Sequence, residues 1–136
     1  MNYFLDTSAC VAILRRKPES ARIKAERTIR QGSTLLISSI VLHELWYGVF
    51  KGSRVNENVW QLQAFLAWGV EVLDFGEDDA RFSGRIRAEL EASGNRIGAY
   101  DTLIGGQCLR HGFTLVTNNL SEFSRIPGLV CVDWTQ

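Results

Sequence analysis

The chain has 136 residues, 46% of them apolar and 22% charged, and its 15 Lys and Arg balance its 15 Asp and Glu. The length predicts one domain over residues 1–136 that buries a core without disulfides, and the composition excludes a disordered or fibrous chain. Zero net charge argues against a sequence-blind nucleic-acid coat protein, which needs a large basic excess.

In chain order the pattern alternates strand and helix, the mark of an α/β domain with a mostly parallel sheet. Tyr3-Phe4-Leu5 reads as a short buried strand, and a helix follows from Thr7 to about Arg16. Pro18 suits the first turn of a second helix that ends near Gly32. Leu35-Leu36-Ile37 is the next strand, and Ser39 is placed to cap the helix carrying Val41, Leu42, Leu45 and Trp46. After Gly52-Ser53 a helix is predicted from about Asn56 to Trp68. Its apolar residues spread too widely for one core contact, so part of that face is expected to meet another chain. Val70 to Phe75 is a strand. Asp78 or Asp79 caps a helix with the stripe Phe82, Ile86, Leu90, ending at Gly94. A helix from about Tyr100 to Arg110 stops at Gly112. Phe113–Thr117 and Leu129–Val132 complete the strands.

Residues 1–54 carry nine Lys and Arg against four acids, and residues 55–136 carry six against eleven. Most of the excess lies between Arg15 and Arg30. Within it Arg22, Lys24 and Arg27 form a strip able to steer a polyanion; a solvated helix face is the competing reading. Cys10, Cys108 and Cys131 lack a CxxC or a Cys/His pairing, so buried free thiols are expected. The start of the chain has no basic leader, and no apolar run approaches the roughly 18 residues needed to cross a bilayer, which predicts a cytoplasmic protein without a membrane span.

In an open parallel sheet, sites form beyond the carboxyl ends of the strands. Asp6 directly follows the first strand, Glu44 lies one turn into the helix after the second, and Asp101 opens the helix before the Phe113–Thr117 strand. Asn118 and Asn119 follow that strand. Carboxylates without Cys or His suit hard cations such as Mg²⁺ or Mn²⁺, and several of them cannot crowd together ionised without a cation. Taken singly, Asp6 also reads as a helix cap, Asp101 as a first-turn acid and the Asn pair as a turn. His43 and His111 read as structural. Phosphate loops, a GxSxG elbow and the DxD and receiver patterns are absent.

Four segments then stand in order: Tyr3-Phe4-Leu5-Asp6-Thr7-Ser8; Ile37 to Gly48, with Glu44 in its centre; Gly98-Ala99-Tyr100-Asp101-Thr102-Leu103-Ile104; and Leu115 to Phe123. Together they resemble the motifs of PIN-domain ribonucleases, most closely the VapC-type toxins of type II toxin–antitoxin pairs. The resemblance implies a three-layer α/β/α fold and a Mg²⁺-dependent endoribonuclease, with Mn²⁺ as the other candidate ion, leaving 5′-phosphate and 3′-hydroxyl ends. It places the metal acids on Asp6, Glu44 and Asp101. The fourth acidic position falls on Asn119, with Glu122 three residues on as the stand-in carboxylate. Thr7, Ser8 and Thr117 match the polar residues that orient the acids. It also implies a VapB-like antitoxin, an RNA substrate and a homodimer, with Leu45, Trp46, Trp60, Phe65 and Trp68 as the docking surface. A catalytically weak RNA-binding or regulatory module and a DNA nuclease of the same fold are the alternatives.

Overall fold

The computed structural model describes residues 1–136. Five parallel strands form one sheet: β1 (Asn2–Leu5), β2 (Thr34–Ser38), β3 (Glu71–Leu73), β4 (Thr114–Val116) and β5 (Cys131–Val132), in the order β3-β2-β1-β4-β5. The helices are α1 (Thr7–Arg15), α2 (Glu19–Arg30), α3 (Ser39–Lys51), α4 (Val55–Ala67), α5 (Glu77–Ala92), α6 (Ala99–His111) and α7 (Leu120–Phe123). Parallel neighbours need crossovers, and the crossovers are these helices. Phe4 in the central strand lies beside Leu36 on one side and Leu115 on the other, and all three are buried. Strands covered on both faces are continuously apolar, which is why Tyr3-Phe4-Leu5 and Leu35-Leu36-Ile37 show no alternation.

Several local expectations shift. Pro18 stands just outside α2, with Glu19 as the first helical residue. Ser38, not Ser39, caps α3: its Oγ accepts the Ile40 N–H at 3.0 Å, while Ser39 Oγ accepts from Phe75 N at 3.0 Å and ties the end of β3 to α3. Neither Asp78 nor Asp79 is the cap of α5. Gly76 holds that position, and Asp79, inside the first turn, reaches back to accept the Gly76 N–H at 2.9 Å. Strands β3 and β5 are shorter than the apolar runs that announce them.

The glycine pair inside α6 is explained by packing. A Cβ on Gly105 would stand 2.5 Å from Ile126 Cδ1, and one on Gly106 would stand 2.7 Å from Ser83 Cβ on α5. The close approach lets α6 lie flat between α5 and the segment after α7, which fixes where its first turn points. Asp79 reinforces this contact, since its buried carboxylate accepts from Arg110 Nε at 2.7 Å and from Gln107 Nε2 at 3.3 Å. All three cysteines are free thiols; Cys10 and Cys108 are buried and Cys131 is half-buried. No helix is long and apolar enough to cross a membrane.

The broad apolar face divides. Leu45 and Phe65 belong to the core rather than to a docking surface, while Trp46 and Trp68 are half-buried and Trp60 is 71% exposed. A helix packed against α1 and α3 turns only one side inward, so Leu62 and Phe65 go in and Trp60 stays out.

Candidate active site

Asp6 leaves β1 at its carboxyl end, where its N–H donates to Val116 O at 3.0 Å and aligns it with the end of β4. Its side chain caps α1 by accepting the Ala9 N–H at 2.8 Å; Ser8 Oγ donates to the same oxygen at 2.7 Å. Thr117 Oγ1 donates to the other oxygen at 2.5 Å. The carboxylate is thus held in one orientation by three donors from two places in the chain, the first turn of α1 and the residue after β4. Burial pushes its pKa up, the bonds from Thr117, Ala9 and Ser8 pull it back, and nearby Glu44 adds to the rise.

Glu44, on α3, accepts from Thr7 Oγ1 at 2.6 Å, which ties it to the first turn of α1. Asp101 lies in the first turn of α6, at the same mouth of the sheet. Burial first, and then the negative charges of Glu122, Asp6 and Glu44, raise its pKa to about 7. Glu122, on α7, is lowered instead, first by the Gly98 N–H, which donates to its Oε1 at 2.6 Å, and then by Asn119 Nδ2, which donates to Oε2 at 2.9 Å. The proton of the Asp101–Glu122 pair therefore rests on Asp101. A Cβ at position 98 would sit 3.3 Å from Glu122 Oε1, so a side chain there would press the carboxylate outward by a few tenths of an ångström.

Asp6, Glu44, Asp101 and Glu122 thus share one electric field although they come from four elements. The donor set is entirely carboxylate and hydroxyl oxygen, and burial together with the accumulated charge keeps the Asp101 proton up to about pH 7. Both features fit a hard divalent cation. The acids do not form a ready-made cage of three in this arrangement. Asp6, Glu44 and Glu122 are turned toward their own hydroxyl or N–H donors.

Thr7 donates to Glu44, and Ser8 and Thr117 donate to Asp6. Asn119 bonds to Glu122 rather than standing as a separate ligand. The basic strip does not gather at the acids: Arg22 pairs with Glu26 at 3.2 Å and lies 5.0 Å over Trp68, and Lys24 Nζ donates to Gln136 O at 2.6 Å. One arginine outside the strip comes closer: Arg125 contributes to the lowering of Glu122, and its Nη1 donates to the backbone carbonyl of Arg96 at 2.8 Å. No motif marks it; only the fold of the chain after α7 brings it there. His111 is structural, 3.6 Å from Asp79 and stacked on Phe113, whereas His43 is exposed, one residue from Glu44.

With this geometry in view, a family model for the PIN domain matches residues 3–129. The chain belongs to the PIN domain family. It is 40% identical over 134 residues to the tRNA(fMet)-specific endonuclease VapC of Salmonella typhimurium, covering 98% of each chain. It is likewise 40% identical to ribonuclease VapC2 of Rickettsia felis over 98% of both. The crystal structure of Rickettsia felis VapBC2 bound to a DNA fragment from their promoter superposes with a TM-score of 0.91, at 40% identity, covering 98% of this chain and 99% of that one. Within the PIN domain family, the chain groups with the VapC ribonucleases.

Proposed function

We propose that this protein is the toxin half of a toxin–antitoxin pair, a divalent-metal-dependent endoribonuclease that cuts tRNA. The single observation that carries the reading is the convergence of Asp6, Glu44, Asp101 and Glu122 at the carboxyl end of the sheet in a chain of PIN type. The substrate class follows from the Salmonella typhimurium relative, a tRNA(fMet)-specific endonuclease. The VapBC assembly of the Rickettsia felis relative supports an antitoxin partner of VapB type.

Asp6, Glu44, Asp101 and Glu122 are the residues that would hold the metal, with Mg²⁺ the preferred ion. Bound there, a hard divalent ion acidifies water and offsets charge on the scissile phosphate. The chain's own part is positioning. Thr117, Ser8 and the Ala9 N–H fix both oxygens of Asp6, Thr7 fixes Glu44, and the Gly98 N–H with Asn119 fixes Glu122. Asp101 carries the proton that must leave before the full acidic set can act. Fixed donors of this kind cost no reorganisation when charge develops.

The test is cleavage of total tRNA by the purified protein, with Mg²⁺ and with EDTA, followed by mapping of the new ends. The expected result is a discrete cut with a 5′-phosphate and a 3′-hydroxyl, dependent on metal and absent in Asp6→Asn. Metal-independent cutting, or cutting by Asp6→Asn, overturns the assignment. Equal cutting of a matched DNA favours a nuclease indifferent to the sugar.

A further inference from the structure

His43 and Tyr100 lie next in sequence to Glu44 and Asp101, on α3 and α6, and their rings meet edge to face at 6.2 Å and 72°. Tyr100 is 49% exposed, and His43 is exposed as well. We propose that this pair is a stacking platform for an unpaired base of the RNA beside the scissile bond. The proposal rests on the ribonuclease reading and adds to it how the site takes hold of its substrate.

An edge-to-face pair uses only one of its four ring faces, and both rings here remain exposed. The pair joins two elements, so its place is set by the same α3 and α6 that place the acids. A phosphate bound at the acids carries its neighbouring nucleosides to side chains one residue away. The flat ring such a substrate brings is a base, and a base freed from a helix stacks on aromatic side chains with little regard to its identity. The other exposed aromatics of α3 each have a ring face engaged: Tyr47 has Lys51 Nζ 5.1 Å from its ring centre, and Phe50 is stacked on Trp46 at 5.5 Å. Tyr100 lies in the first turn of α6, directly before Asp101 in the chain.

The experiment uses a short stem–loop oligonucleotide spanning the cut mapped in tRNA, in intact form and with an abasic nucleotide on one side or the other of the scissile bond. Wild type, Tyr100→Ala, Tyr100→Phe and His43→Ala are compared by single-turnover cleavage, and each variant is checked by circular dichroism and size-exclusion chromatography. Tyr100→Ala should weaken binding of the intact RNA on the order of tenfold, and Tyr100→Phe should keep wild-type affinity because the ring remains. On the abasic RNA at one of the two positions, the gap between wild type and Tyr100→Ala should close. A gap that persists at both positions overturns the platform, as does a Tyr100→Ala variant equal to wild type on intact RNA. Loss of self-association by Tyr100→Ala assigns the ring to a protein contact and also overturns it. If wild type cuts no RNA at all, the ribonuclease reading fails first and the platform with it; cutting that ignores Tyr100 sinks the platform alone.

Discussion

Asn119 donates its Nδ2 hydrogen to Glu122 Oε2 at 2.9 Å, so the neutral side chain in the fourth acidic position serves the carboxylate three residues on. The second oxygen of Glu122 takes the Gly98 N–H at the start of α6. Asn119→Asp removes a donor and sets a like charge against Glu122. The metal-free variant should melt below wild type. Because it adds a charge to the acidic set, Mg²⁺ should raise its melting temperature by more than it raises that of wild type. Glu122→Gln should lose activity, and more Mg²⁺ should be needed for half-maximal rate. Thermal scans and cleavage across a Mg²⁺ titration check both. An unchanged metal dependence in both variants removes α7 from the site.

Asp6 has two duties, and two substitutions separate them. Asn keeps an oxygen to cap α1 and removes the charge that repels Glu44. Asp6→Asn should therefore hold the metal-free stability of wild type while cleavage disappears. Asp6→Ala also loses the bonds from Ala9, Ser8 and Thr117. It should be destabilised by about 1–2 kcal/mol, the usual cost of losing a cap, and be inactive as well. Denaturant melts of the two variants beside wild type show the difference. Equal losses of stability would mean that the cap does not matter here.

Asp6, Glu44 and Asp101 are legible in the sequence because each sits at a place chain order alone defines: just after a strand, or in the first turns of a helix. Glu122 is reached in the sequence only through the family resemblance, as a stand-in for Asn119, since it lies on the single turn of α7, which has no hydrophobic period. The inward choice of Leu45 and Phe65 over Trp60 is set by which side of α4 meets α1 and α3. Arg22 and Lys24 look free in the sequence because Trp68 and Gln136, which occupy them, lie far along the chain.

The proton on Asp101 makes the metal-free protein sensitive to pH. Its pKa rises from 3.8 to about 7 on folding, so the folded state binds the proton more tightly. Stability from this group is full below about pH 4 and is lost as pH climbs through about 7. Asp6, also raised, acts in the same direction. Asp79 and Glu122 are lowered, so their contributions fail only in acid, below their ordinary values. In EDTA the melting temperature should therefore fall between about pH 5.5 and about pH 8. Asp101→Asn should flatten that fall. Mg²⁺ should shift the balance toward the alkaline side, because metal binding displaces the proton. A metal-free melting temperature that rises over this interval contradicts the assignment of the proton.

The basic strip yields a prediction about salt. Of Arg22, Lys24 and Arg27, the first is engaged by Glu26 and Trp68 and the second by the carbonyl of Gln136, while Arg27 is exposed and makes no ion pair. Each phosphate contact contributes roughly 0.7–0.9 to the slope of log affinity against log salt. Replacing all three with Gln should flatten the slope by about one contact's worth rather than three. Arg22→Gln alone should cost about 0.5–1 kcal/mol of stability through the lost contact with Trp68. Arg15 lines the same groove between α1, α3 and α4 as Glu44, and Arg15→Gln should flatten the slope by a similar single contact. Fluorescence anisotropy of a labelled stem–loop at several KCl concentrations, in the Asp6→Asn background so that the RNA survives, measures each slope. A flattening near three contacts in the triple variant would show that the strip tracks the RNA backbone after all and that its internal pairs open on binding.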